Sequence, residues 1–303
     1  MDCSSQMPSP LIQIAPPLSA APSKSNKLRA SMAAPEPSPL ITMVMGAICG
    51  TADTTLLQST NYLKCAKQQG LPFTLRPSVL YRGYVVNTMS NSVCVMSQFL
   101  FNGLARRAIT FGETRPLTNM EKVGCGVFAG ALAGIVCSPM ELVMIQQQRF
   151  GGGLIPTALA MCKGGPSVLM RGTLGMSARE GIYAGGFLGL MPVVRERVQH
   201  DFPDTLGKSA DTARLTAAVT TGPLCTFLSH PPDTLKTLMQ GDVGRQKYEG
   251  YMQTAKLRVG EAGLKELWSG MSWRLGRQAC CVFLFDKINS DLTPLLFPPT
   301  HAA

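Results

Sequence analysis

An acid and a base three residues apart on one helix face can make ion pairs with neighbouring helices, and this chain carries that arrangement once in full and twice in incomplete copies. The sharpest runs from Pro231 through Asp233 and Lys236 to Gln240: proline, acid two residues on, base five on, glutamine nine on. Pro139, Glu141 and Gln148 repeat the pattern, with Met144 at the basic position. A worn copy has Ser59 for the proline, then Asn61, Lys64 and Gln68. Acid and base lie one turn apart. A proline inside a helix removes a backbone donor and kinks the axis, so Pro139 and Pro231 would let their helices converge. Three convergent helices can close their ends with a ring of ion pairs.

The elements that position such a ring follow from the surrounding composition. Of 303 residues, 45% are apolar and only 15% charged, against about 25% charged in ordinary soluble domains. Membrane residence follows, although no uninterrupted run of about 20 apolar residues occurs, as in helices that line a wet cavity. Nine residues before each motif lies Gly50, Gly130 or Gly222, and thirteen before lies Gly46, Gly126 or Ala218. Small residues every four positions let helices approach closely in lipid. Downstream of each motif a turn-rich stretch ends at Gly83, Gly172 or Gly270, where a second long helix is expected to begin. The expected fold is an all-α membrane protein of six transmembrane helices in three tandem two-helix repeats with pseudo-threefold symmetry. The repeats span 40–110, 116–200 and 208–295, after a disordered or targeting segment over 1–39 that holds eight prolines.

Several functions are disfavoured. The net charge of +10 suits anionic lipid or an anionic substrate, while a nucleic-acid partner lacks basic runs interleaved with aromatics. Ten cysteines without a Cys-x-x-Cys pair, and His200, His230 and His301 far apart, give no metal-ligand pattern. Gly124, Gly126 and Ala129 fit a dinucleotide fingerprint formally, but no strand precedes them. Lys208 lacks the upstream glycine of a phosphate loop. No defensible catalytic constellation is present, so an enzyme is not expected.

The three motifs in register resemble the mitochondrial carrier family over roughly residues 40 to 295. The third copy is closest, with Tyr248-Glu249-Gly250 and Leu267-Trp268-Ser269-Gly270 at the family's intervals. The resemblance implies that the ring is the matrix-side gate, each acid pairing with the base of the preceding repeat. Glu141 would then face Lys64, Asp233 would face Met144, and Asn61 would face Lys236, leaving one ion pair of three. Gln68, Gln148 and Gln240 would brace the pairs. The cytosolic gate is reduced to Phe285-Asp286, with Asn289 at its basic position.

The resemblance also places substrate contacts seven residues after each helix-opening glycine, at Ser90, Arg179 and Arg277. Glu180, Arg274 and Asn87 join them as substrate-binding candidates. Asp53, eleven residues before Lys64 and so nearly on its face, is a further one. Arginines at bilayer depth are costly and therefore functional candidates, and their planar fork suits carboxylate or phosphate. Arg274-Leu275-Gly276-Arg277 resembles citrate-type carriers, whereas Arg179-Glu180 resembles amino-acid-type ones. Cardiolipin is the expected bound lipid, at Arg82, Gly83, Arg171, Gly172, Gly250 and Gly270, with no other cofactor. The expected function is exchange of a small anionic metabolite, a di- or tricarboxylate or an amino-acid-like substrate, by a monomer in the mitochondrial inner membrane. A carrier-fold adaptor without transport is the alternative.

Overall fold

The computed structural model of the protein describes residues 39–113 and 115–281, apart from the side chains of 39–47 and 49. The expected cytosolic gate residue Asp286, the end of the third expected repeat and the segment ahead of Pro39 lie outside the described residues.

Every regular element among the described residues is helical. In chain order these are α1 (Pro39–Gln69), the one-turn α2 (Pro77–Leu80), α3 (Tyr84–Ile109), α4 (Asn119–Phe150), α5 (Leu154–Lys163) and the one-turn α6 (Pro166–Leu169). There follow α7 (Thr173–Ala184), a π-helical turn (Gly185–Leu190) leading into α8 (Met191–Asp201), α9 (Ala210–Gly241), α10 (Tyr251–Ala262) and a 3-10 turn (Leu264–Trp268). A last helix, α11, is described over 271–281. The motif copies thus lie on α1, α4 and α9.

Local sequence sets the helix ends. Thr118 and Glu121 close a reciprocal capping box at the start of α4, and Ser209 with Thr212 does the same for α9. Gly83, Gly172 and Gly270 hold φ of 74°, 78° and 82° and are followed at once by α3, α7 and α11. That left-handed turn is why glycine stands there. In α1, where Ser59 replaces proline, the helical path instead breaks at Leu57, with φ −114° and ψ 15°.

The distribution of polarity is inverted relative to a soluble protein. Lys236, Asp233, Gln58, Gln68, Gln240 and Thr237 have no exposed surface, while Val85, Leu100, Phe128, Ile135, Val219, Leu224 and Leu228 are exposed on the long helices. Such broad exposed apolar surface suits contact with lipid. Among the described residues, α4 is long and apolar enough to cross a membrane by length and composition. The other motif helices give up hydropathy to the polar residues they turn inward.

Among the described residues the small-residue stripe is tightest in the middle copy. A Cβ on Gly134 would lie 2.8 Å from Ser177 Cα, one on Gly126 would lie 2.8 Å from the Ala184 carbonyl oxygen, and one on Gly130 would run into the Glu180 carbonyl. α4 and α7 therefore meet backbone to backbone. Gly50 and Gly222 face side chains instead, Asn91 at 3.1 Å and Gln278 at 3.8 Å from the same construction. Gly83 packs on Met144 of α4, Gly172 on Lys236 and Gln240 of α9, and Gly270 on Lys64 of α1. Each opening glycine therefore rests on the motif helix that follows in cyclic order.

Candidate functional site

The motif residues of α1, α4 and α9 converge, and they pair in the direction opposite to the one expected. Lys64 Nζ lies 2.8 Å from Asp233 Oδ2, and Lys236 Nζ pairs with Glu141 Oε1. Asn61 Nδ2 faces Met144 Sδ at 3.8 Å. Each acid position therefore meets the base position of the following copy, and the last meets the first. Two ion pairs form instead of one, and the expected Glu141–Lys64, Asp233–Met144 and Asn61–Lys236 partnerships do not. Acid and base are offset to opposite sides of the inward face, so the cyclic order of the helices decides which neighbour each meets. That order is absent from the spacing and is set by packing, as the seats of Gly83, Gly172 and Gly270 show.

The glutamines behave unequally. Gln68 Nε2 donates to Asp233 Oδ2 at 3.2 Å and to Thr234 Oγ1 at 3.1 Å, bracing the Lys64–Asp233 pair. Gln240 Nε2 reaches the backbone carbonyls of Arg171 (3.2 Å) and Ser138 (3.4 Å), and so ties α9 to α4 and to the turn before α7 rather than to an ion pair. The buried Gln148 amide has no hydrogen-bond partner among the described residues. Only Gln68 acts as the brace that was expected of all three.

Next to the ring lie the arginines. Arg179 on α7 pairs with Glu180, lies 3.2 Å from Glu141 Oε2 through Nη2, and 3.6 Å from Asp233 Oδ1 through Nη1. Gln98 Nε2 on α3 holds the other Glu180 oxygen at 2.8 Å. Arg277 on α11 pairs with Asp53 on α1, whose Oδ1 also accepts from the Cys281 thiol. Arg274 Nη2 donates to Ser229 Oγ at 2.8 Å, and its Nη1 lies 3.8 Å from Asp233 Oδ2. Asn87 Nδ2 donates to Gln58 Oε1 at 2.7 Å. Ser90 is buried on α3 without a side-chain hydrogen bond to either arginine. Among the described residues the ring and this layer hold four acids and five cations, one positive charge in excess.

Gln98, Ser229, Cys281 and Gln58 were not anticipated. Gln98 is one of several polar residues on α3, with Ser90 and Asn102 also buried there, so the sequence alone does not single it out. Cys281 resembles any small apolar residue until Asp53 is seen beside it.

The residues expected to hold lipid divide. A cleft of about 290 Å³ is lined by Arg171, Gly172, Thr173, Arg245, Glu249 and Tyr251, among others. The Arg171 guanidinium, however, donates to the carbonyls of Met239 (2.7 Å), Tyr248 and Glu249 (3.4 Å). It thus ties the turn before α7 to the segment between α9 and α10. Burial pulls its pKa below the ordinary value, with Asp242 opposing. Arg82 is half-buried and accepts from Gln58 Nε2 through its carbonyl at 3.2 Å. Gly250 opens α10 with free space around it.

Apolar flanks, a charged interior and a ring that ties three helices together fit an all-α membrane carrier fold. The sequence profile of the family described as "Mitochondrial carrier protein" matches residues 208–290. The chain is 25% identical over 285 residues, 84% of its length and 96% of the relative's, to a protein of Eremothecium gossypii named "Mitochondrial glycine transporter". A protein of the same name from Chaetomium globosum is 24% identical over 194 residues, 58% of each chain. The "Probable mitochondrial 2-oxodicarboxylate carrier" of Dictyostelium discoideum is 24% identical over 248 residues, 75% of this chain and 81% of that one. The chain is thus similar, at low identity, to members of the mitochondrial carrier family. The names of these relatives support a transporter of small metabolites in a mitochondrial membrane rather than an enzyme.

Proposed function

We propose that this protein exchanges a small amino-acid-like substrate across the mitochondrial inner membrane by alternating access, with six spans in the units 40–110, 116–200 and 208–295. The observation that carries the reading is that both arginines at contact depth already hold an acid: Arg277 with Asp53, and Arg179 with Glu180. A ligand bearing carboxylate alone would leave Asp53 or Glu180 without its cation in a poorly solvated site, which is costly. A ligand with both carboxylate and ammonium can exchange partners with the pair and leave every charge matched. The relatives named as glycine transporters support that substrate class.

Arg274 favours a second reading, a dicarboxylate. Its nearest acid oxygen is 3.8 Å away, and it accounts for the excess positive charge. The relative named for 2-oxodicarboxylates accords with it. The adaptor alternative gains no support from relatives named as transporters and carriers. Cardiolipin is proposed for the cleft at Gly172 and Arg245, where Arg245 supplies the cation because Arg171 is taken up by carbonyls.

The test is exchange in liposomes. Labelled glycine, alanine, aspartate and 2-oxodicarboxylates are offered to the reconstituted full-length protein. The expected result is amino-acid exchange that is lost in both Arg277→Ala and Asp53→Asn. Movement of dicarboxylates alone, indifferent to Asp53→Asn, would replace the first reading by the second, and movement of nothing in the panel would sink both.

A further inference from the structure

We infer that Arg179 is the third cation of the closed gate, standing in for the pair that Asn61 and Met144 cannot make, so that one guanidinium both holds the gate and meets the substrate. The second half of this inference rests on the transport reading above, and the first half on geometry alone.

A ring of three identical motifs would have three acids and three bases. Here the acid of the first copy is Asn61, the base of the second is Met144, and the two face each other at 3.8 Å. The ring is left with Glu141, Asp233, Lys64 and Lys236. Arg179 reaches it from a second helix of a unit, outside the motif. Nη2 lies 3.2 Å from Glu141 on α4, and Nη1 lies 3.6 Å from Asp233 on α9. The two acids belong to different helices, so the fork spans the α4–α9 seam from a third helix, α7, and adds to Lys236, whose Nζ also lies close to both acids. Arg274 lacks this property: it reaches Asp233 and Ser229, both on α9, and no acid of α4.

Arg179 is not sealed into the ring. Its side chain keeps 18% of its surface, whereas Lys236 and Asp233 keep none. A carboxylate arriving at Arg179 competes with Glu141 and Asp233 for the same N–H groups. Withdrawal of the fork leaves Glu141 with Lys236 alone and removes a bridge between α4 and α9. Substrate binding and gate loosening then become one event at one side chain.

The experiment is a thermal-unfolding cycle on the purified full-length protein. The four forms are the parent, Arg179→Met, the gate repair Asn61→Glu with Met144→Arg, and all three changes together. Arg179→Met is expected to lower the Tm by roughly 6 °C in the parent and by less than half of that in the repaired gate, where a true third pair is present. Equal losses in both backgrounds overturn the inference. Should Arg179→Met not fold in the parent, Arg179→Lys takes its place. It keeps the charge but lacks the two-pronged fork, the same unequal losses are expected, and equal ones again overturn the inference. A second readout does not need the repair. Modification of Cys65, buried next to Lys64, by a water-soluble maleimide should be at least about threefold faster in Arg179→Lys than in the parent, and an unchanged rate counts against the gate role. A protein that exchanges nothing yet shows unequal losses keeps the gate assignment and loses the transport reading. Exchange with equal losses does the reverse.

Discussion

Asp233 Oδ2 accepts from Lys64 Nζ at 2.8 Å across 169 residues of sequence, and this contact closes the circle from the last motif copy to the first. It is also an unequal partnership. Lys64 has Asp233 as its acid, whereas Asp233 has three further cations within 4 Å: Lys236 at 3.4 Å, Arg179 at 3.6 Å and Arg274 at 3.8 Å. The carboxylate is the hub of the site, and the lysine is one spoke.

Removing hub and spoke should therefore have different effects. Asp233→Asn leaves four buried or half-buried cations facing one another and is expected to destabilise the protein by about 4 kcal/mol. Lys64→Met leaves Asp233 with three cations and should destabilise by about 1–2 kcal/mol. For the same reason the swapped pair, Lys64→Asp with Asp233→Lys, should not recover parental stability, since the new lysine meets three like charges. Thermal unfolding of the three variants decides the matter, and equal destabilisation by the two single changes would refute the hub arrangement.

The pair formed by Arg277 and Asp53 predicts a dependence on shape as well as charge. Arg277 reaches Asp53 through both Nε and Nη2, a two-point grip that lysine lacks. Arg277→Lys should lower exchange roughly tenfold to a hundredfold while leaving unfolding nearly unchanged, because a cation still faces Asp53. Cys281→Ser should change exchange by less than about threefold, as a hydroxyl can donate to Asp53 in the thiol's place. Initial rates in liposomes measure both, and full activity in Arg277→Lys would remove the fork from the site.

The two kinds of glycine stripe separate in the same way. A methyl group on Gly130 meets the Glu180 carbonyl, whereas on Gly222 its nearest neighbour is the Gln278 side chain at 3.8 Å. Gly130→Ala should cost about 2–3 kcal/mol by forcing α4 from α7. Gly222→Ala should be neutral, or stabilise by roughly 0.5–1 kcal/mol through helix propensity. Parallel unfolding of the two variants tests the contrast, which the equivalent spacing of these glycines in the sequence does not contain.

What the sequence makes legible is local. Gly83, Gly172 and Gly270 mark the starts of α3, α7 and α11 because a left-handed turn needs glycine, and that need is written at each position. Asn61, Lys64, Glu141, Met144, Asp233 and Lys236 come together because three copies of one spacing present the same helix face. Partner choice is a property of the ring: which helix stands to the left of another depends on packing between segments some 80 residues apart. Arg179 shows the limit most clearly. Its place on α7 follows from counting residues after Gly172, but its reach to Glu141 and Asp233 depends on how closely α4 and α7 approach, which Gly130 and Gly134 set.

Away from the charged interior, Asp242 gives a prediction in pH. Its carboxylate lies just past α9 and accepts from the backbone amides of Gln246 at 3.1 Å, Lys247 at 2.8 Å and Tyr248 at 2.9 Å. Partial burial raises its pKa, but the three amides lower it more, and the net result is below the ordinary value. A carboxylate depressed on folding contributes stability above its unfolded pKa of about 3.9 and loses it as pH falls through the lower folded value. The group is partly open to water, so the contribution at neutral pH is taken as roughly 1 kcal/mol, a shift of about 2–4 °C. Asp242→Asn should therefore unfold at lower temperature than the parent at pH 7, with the gap closing as pH falls below about 4. The loop it organises presents the Tyr248 and Glu249 carbonyls to Arg171, so the same variant should loosen that tie. Faster amide exchange at Gln246, Lys247 and Tyr248 would report it, and a gap in Tm that persists unchanged to pH 3 would show that the charge of Asp242 is not the cause.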